Sequence, residues 1–436
     1  MADALVNPEL AQHIKATPLV DSHEHLGSED AWVNDGPQDV LQDLLSTYVP
    51  SDFYSAVVDT DALDRARNRP DIDVKERWDG IKGAWRQIRH TGYGEAMARQ
   101  AKEIYGIDRI TGKALAKAKM TLMKLRRPGE RYRILKKIAN LDHVQIDGGW
   151  PPAPDQSGPG FFFHDISWAH ISGGLPNITG LLEHLGGDIT DLKSYRRIME
   201  TIFDRYANYA TGVKSQHAYG RTLLWQKRDD AEVERLLTKH LRERTLTVEE
   251  QLCLGDWGWA RGVELATEYD LPFKMHTGFY AGNDNLEPSR IRAGHLSNLA
   301  KAYPDARLVC MHMAYPYGNE LVAMAKQYRN IYADMCWGWS MNPYTGMEFV
   351  RTYLHGAPVN KLFAFGGDTH WATGTAAYAS QAREWLGRAL ALEIRDGFMA
   401  LKQAKRVATK VMNRNQMECF QVQRARDTAK AELGKK

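Results

Sequence analysis

The sequence predicts an α/β protein built on a (β/α)8 TIM-type barrel, with a helical insertion after the first strand and a helical extension at the C-terminal end. Three observations carry this prediction. Short β-rich apolar runs alternate with longer helical ones from residue 211 onward, the pattern of parallel strands joined by crossover helices. These runs end in polar or ionisable residues, as strands do when their C-terminal edge lines a barrel mouth. No internal repeat or low-complexity tract competes with that reading.

The first strand is TPLVDSHEHL at 17–26, an apolar run passing directly into polar residues. Residues 27–140 are rich in helix formers and charge and read as a helical insertion over the barrel mouth. The second and third strands fall at 141–148 and 161–170. Strands at 212–219, 272–278, 306–314, 330–339 and 361–371 complete eight, with helices expected at 229–244, 248–269, 289–302 and 344–354. From residue 376 the chain reads as helical to its end, a cap on the barrel or an oligomer contact. The 436 residues are therefore read as one elaborated barrel, since such barrels accept long insertions.

Composition narrows the function. With 43% hydrophobic and 25% charged residues the chain can bury a large core. Its net charge of +3, from 57 basic and 54 acidic residues, is too balanced to point to nucleic acid. No leader-like segment and no run of about 18 apolar residues is visible, so a soluble, cytoplasmic protein without a membrane partner is expected. The four cysteines (Cys253, Cys310, Cys336 and Cys419) show no metal-ribbon or redox spacing and are expected as buried thiols. One local excess, ten Lys or Arg against Glu130 alone over 113–137, reads as an exposed basic helix pair, with an acidic partner or attraction of an anionic substrate as the alternative.

The ionisable residues gather at predicted strand edges. His23 and His25 close the first strand, Lys214 and His217 lie in the fourth, His276 in the fifth, His312 in the sixth and Asp368 in the eighth. Strand side chains alternate faces, so His23 and His25 share one face about 6.6 Å apart, at ~3.3 Å per residue, and Glu24 takes the other. Two imidazoles so placed can lean onto one ion. His276 alternatively packs in the core, Asp368 alternatively caps a helix, and His312, between apolar neighbours, alternatively serves structure. His90, His143, His184, His240 and His355 are placed in helices or loops.

The segments PLVDSHEHL, GVKSQHAYG, FKMHTGFYAGND, PDARLVCMHMAYPYGNE, NIYADMCW and AFGGDTHW resemble the amidohydrolase superfamily. Within it, they are most similar to the branch holding uronate-isomerase-like enzymes and domains fused to glutamine synthetase. The resemblance covers the first strand and essentially all of 211–371 and does not extend to the insertion or the C-terminal helices. It implies metal ligation by His23, His25, His276 and Asp368, with His312 binding a second metal or acting on substrate. Lys214 occupies the place where some members carry a carbamylated, metal-bridging lysine. One divalent ion is expected rather than two, zinc with manganese as the alternative.

A bound divalent ion brings water's ionisation from about 15.7 to about 7. Asp368 is then the expected general base and acid, His312 or the ion polarises the carbonyl, and Lys214 faces the substrate or bridges two ions. Trp337 and Trp371, with Trp339, Tyr315 and Tyr317, form an aromatic wall or pack between barrel and helices. Arg221 and Arg290 either take a substrate carboxylate or form ordinary ion pairs. The reading is a hydrolase of an amide, lactone or related bond in a small molecule, expected to be a homo-oligomer. Its rivals are a non-oxidative decarboxylase or hydratase, an aldose–ketose isomerase, and a barrel that has lost catalysis.

Overall fold

The computed structural model describes residues 6–57, 59–148, 155, 157–174 and 179–433. Eight strands stand in chain order around one sheet: β1 (Leu19–Glu24), β2 (Leu141–Ile146), β3 (Phe162–Ser167), β4 (Ala210–Ser215), β5 (Phe273–Met275), β6 (Leu308–Cys310), β7 (Ile331–Asp334) and β8 (Leu362–Phe363). Each pairs in parallel with the next. Backbone bonds beyond β8 draw the ring shut: Ser22 N–H donates to Phe365 O (3.1 Å), Asp368 N–H to His23 O (2.9 Å) and His25 N–H to Thr369 O (3.1 Å). This is the (β/α)8 barrel that the alternation predicts.

Several strands stop earlier than the apolar runs suggest. His217 opens a 3-10 turn after β4, and His312 opens another after β6. His312, Cys336 and Asp368, just past β6, β7 and β8, have φ of +60°, +45° and +54°. That left-handed backbone takes the chain off the ladder. The helix expected over 289–302 is two 3-10 turns, Pro288–Arg290 and Ala293–Leu296, before a short helix Ser297–Ala302. Glu320 competes for this segment by accepting from Gly294 N–H and pairing with Arg292. His143, expected in a helix or loop, lies on β2, with its ring against Asp142 and Gln145.

The insertion is helical from Glu29 to Arg133, followed by a π-turn, Ile134–Ile138. Its starts are locally encoded: the side chains of Ser28, Asp39, Asp59, Asp73, Thr91 and Thr111 each accept a backbone N–H of the first turn. Buried Asp43 ties it to the barrel, accepting from Gln100, Tyr105 and, on the helix Ala372–Arg395, Thr373. The basic stretch divides in two. Lys113, Lys117, Lys119 and Lys124 are exposed on the helix Gly112–Leu125, whereas Arg126 donates to three backbone carbonyls and buried Arg131 pairs with Asp155 over the Phe162 ring.

The C-terminal helices close against the sheet. Asn415 Nδ2 donates to Val359 O (2.7 Å) and Leu362 O (2.8 Å), and Phe420 and Val422 pack with Phe163, Val309 and Phe363. The barrel interior is partly polar: Lys274 on β5 reaches Asp165 (2.5 Å), Ser22 O (2.7 Å) and Gln145 (2.9 Å), all buried. Such a cation is tolerable only because its donors are matched. Among the described residues no helix is long and apolar enough to cross a membrane.

Candidate metal centre

Strand β1 and the segment after β8 bring three predicted residues together. The His23 and His25 rings are 4.8 Å apart, and their Nε2 atoms lie 3.5 and 3.3 Å from Asp368 Oδ1. His25 Nδ1–H donates to Asp147 O (2.7 Å), which leaves the Nε2 lone pair facing the carboxylate. Buried His23 has no hydrogen-bond partner at either nitrogen. Burial, then the neighbouring Lys214, holds it well below the usual imidazole range, so its ring is neutral. One ligand atom from each of His23, His25 and Asp368 lies within 4.8 Å of the others.

Two other acidic residues of β1 position this set. Glu24 accepts from Thr369 N–H, and Asp21 accepts from Gly367 N–H (3.1 Å), holding the chain after β8 against β1. A Cβ at residue 367 would stand 1.9 Å from Glu24 Oε1, so any larger residue there would have to displace that buried carboxyl. Burial raises both carboxyls, Asp21 to about 7, so this pair holds a proton.

Strands β5 and β6 supply a different arrangement. His276 Nε2 lies 3.1 Å from Phe279 O, an atom that only accepts, so Nε2 carries the hydrogen. Its Nδ1 therefore accepts from His312 Nε2–H at 2.9 Å. That leaves a lone pair on His312 Nδ1, which is buried without a hydrogen-bond partner 4.0 Å from Asp368 Oδ2. Burial above all depresses both imidazoles, so both are neutral. The two rings are thus placed differently from the first pair. His276, expected as a ligand, has both nitrogens engaged and stands outside the ligand group; His312 offers a lone pair rather than an N–H to a carbonyl. A second group, His312, Cys336 and Asp368, also has its ligand atoms within 4.8 Å of one another.

Lys214 is fully buried, with Nζ 3.9 Å from Asp147 Oδ2 and no hydrogen-bond partner. Its register partner Lys274 is saturated, so the two lysines play different parts. His217 bonds Ser215 Oγ (2.7 Å) and packs on Trp259. Buried Trp337 lies 4.0 Å from the Tyr48 ring and 5.8 Å from His312, backing the site rather than lining it. Trp339 is packing, its Nε1–H donating to Ala364 O. Half-buried Trp371 lies 5.4 Å from Trp32 and lines a cleft beside His25. The two arginines follow the ion-pair alternative: Arg221 pairs with buried Asp256, and Arg290 with Glu287 in an exposed pair.

Two cavities open at this edge. One of about 240 Å³ is lined by Tyr48, Arg67, Asn283, Asp368, Thr369 and His370; the other, about 470 Å³, by His25, Gln42, Arg67, His370 and Trp371 among others. Larger cavities of about 820 and 600 Å³ lie elsewhere and contain none of these groups. Size alone would choose the wrong place. Sequence reasoning missed Tyr48, whose hydroxyl donates to Asp368 Oδ1 (3.0 Å), and exposed Arg67, which has no carboxylate partner among the described residues. Neither carries a local signal. Asp147 and Cys336 do, each just past a strand, β2 and β7.

Residues 220–400 match the family model described as Amidohydrolase. An alignment 257 residues long, covering 54% of this chain, is 26% identical to the protein fluG of Emericella nidulans and spans only 29% of that protein. A uronate isomerase from Thermotoga maritima superimposes with a TM-score of 0.78 at 12% identity, covering 96% of this chain and 99% of its own. A glucuronate isomerase from Caulobacter crescentus gives 0.78 at 18%, covering 96% of each. At such identities the solved structures speak for the fold, insertion included.

Proposed function

We propose, from the premise that the chain belongs to the amidohydrolase superfamily, that it is a metal-dependent hydrolase cleaving an amide, lactone or related carbonyl-centred bond of a small molecule. The observation that carries this reading is the convergence of the His25 lone pair, the neutral unpartnered His23 ring and the Asp368 carboxylate within 4.8 Å at the barrel edge. Buried polar atoms left without partners are costly unless a ligand satisfies them. Two imidazole nitrogens and one carboxylate oxygen are a donor set that suits zinc, with manganese second. The residues thus fit an ion held by His23, His25 and Asp368. When bound, a divalent ion supplies the Lewis acidity that brings water's ionisation to about 7.

The remaining work falls to the chain. Asp368 takes a proton from water and returns it to the leaving group, with Tyr48 O–H fixing its Oδ1. Lys214, buried without a hydrogen-bond partner, is the cation placed for a developing oxyanion. Arg67, from the insertion, faces both cavities and suits an anionic group on the substrate.

An aldose–ketose isomerase is the second reading, favoured by the likeness to uronate isomerases across 96% of the chain. A panel of small amides, lactones and sugar acids, scored for released acid or amine, ketose and carbon dioxide, separates the readings. Release of acid or amine upholds the hydrolase. Ketose formation with no hydrolysis replaces it by the isomerase, and carbon dioxide by a decarboxylase.

A further inference from the structure

We propose that His312, Cys336 and Asp368 form a second, sulfur-containing cation site beside the first, selective for thiophilic divalent ions. It shares Asp368 with the proposed hydrolytic centre and adds an ion to the single one expected from the sequence.

The ligand atoms of the three lie within 4.8 Å of one another, and all three residues are buried. The His276–His312 hydrogen bond fixes the tautomer that leaves His312 Nδ1 as a lone pair, and that atom has no hydrogen-bond partner in the described structure. Asp368 divides its oxygens: Oδ1 faces His23 and His25, and Oδ2 faces His312. A carboxylate so divided is disposed to serve two cations at once.

Cys336 supplies the third donor. Its backbone N–H donates to Asp334 Oδ1 (2.8 Å), and opposite it Gly366 leaves room, since a Cβ there would meet Sγ at 3.0 Å. The other cysteines differ. All four cysteines are buried, but Cys253, Cys310 and Cys419 belong to none of the ligand groups found among the described residues. Among the described residues, Cys336 is the one cysteine grouped with a histidine and a carboxylate at ligand spacing. All three proposed ligands also have left-handed backbone, a conformation that costs side-chain-bearing residues energy and that clusters at functional sites.

The chemistry balances simply. As the sulfur–metal bond forms, the thiol proton passes to solvent, and the thiolate with its share of Asp368 offsets the dication beside a neutral imidazole. A thiolate is a soft donor, so zinc and cadmium are preferred over manganese and magnesium.

The test is a Cd²⁺ titration of metal-stripped full-length protein, following near-ultraviolet thiolate-to-cadmium absorption and counting bound ions by elemental analysis. Wild type is expected to bind two ions per chain and to develop the band. Cys336→Ser and Cys336→Ala should each lose the band and one ion while keeping the wild-type unfolding midpoint of the stripped protein, and Cys310→Ser should keep both band and ions. Ions bound without the band, or a band that persists in both Cys336 variants, overturn this site and leave the hydrolase reading standing. Binding of no ion at all overturns the two together.

Discussion

His23 and His25 leave one strand two residues apart, whereas His276 and His312 come from neighbouring strands, and the pairs use their nitrogens differently. In the first pair Asp147 O takes the His25 N–H, so a His25 lone pair faces Asp368 Oδ1, and among the described residues no group hydrogen-bonds the His23 ring. In the second, the rings bond one another and Phe279 O, and one lone pair remains, on His312. Four histidines at equivalent edges therefore do not present four equivalent nitrogens. What surrounds each ring decides which nitrogen is free.

Asp368 stands between the pairs, so removing its charge tests both at once. Asp368→Asn should keep an ion, because the amide oxygen still coordinates, but lose turnover by roughly 10²- to 10⁴-fold, the usual worth of a general base. Near-normal kcat in that variant would move the base elsewhere.

Asp43 sharpens the contrast from outside the pairs, as a buried carboxyl with three donors and no cation. Burial raises it to about 6 despite those donors. Its folded value lies above the unfolded one near 3.8, so its stabilising contribution is whole below pH 3.8 and lost as pH rises through 6. That amounts to about 3 kcal/mol at ~1.4 kcal/mol per unit. Urea unfolding midpoints from pH 4 to 7 should fall less steeply in Asp43→Asn than in wild type; parallel slopes would contradict this.

Gly367→Ala attacks the support beneath the first pair. Its Cβ would press on Glu24 Oε1, so a loss of about 1–3 kcal/mol in urea unfolding is expected, together with weaker ion binding. Unchanged stability would mean that the segment after β8 yields freely. Tyr48→Phe is the mildest change. Losing one hydrogen bond to Asp368 should cost roughly 1 kcal/mol, about fivefold in kcat/KM, with bound ion unchanged. A drop in ion content instead would make Tyr48 a support of ligation.

The barrel and the β1–β8 ligand group were legible because both follow periodic rules. Strand side chains alternate, so His23 and His25 must share a face, and Asp368 falls at an edge that such barrels use for chemistry. The occupancy of His276 was not legible, since it depends on Phe279 O and His312, which no spacing relates to it in advance. The partner of Arg221 was hidden for a similar reason: Asp256 lies 35 residues on and becomes a neighbour only through folding. Tyr48 and Arg67 sit in an insertion whose helix starts are written locally in caps, but whose docking onto the mouth is tertiary. Where each insertion helix begins could be read; what it touches could not.

The contrast between the pairs rests most directly on ion content. His23→Ala/His25→Ala and His276→Ala are each purified, dialysed and analysed for bound metal against wild type, with circular dichroism confirming the fold. The double variant should carry one ion fewer per chain, and His276→Ala should carry as many as wild type. A full complement in the double variant would contradict the assignment of ligands to β1 and the segment after β8, and loss of an ion in His276→Ala would contradict the exclusion of His276.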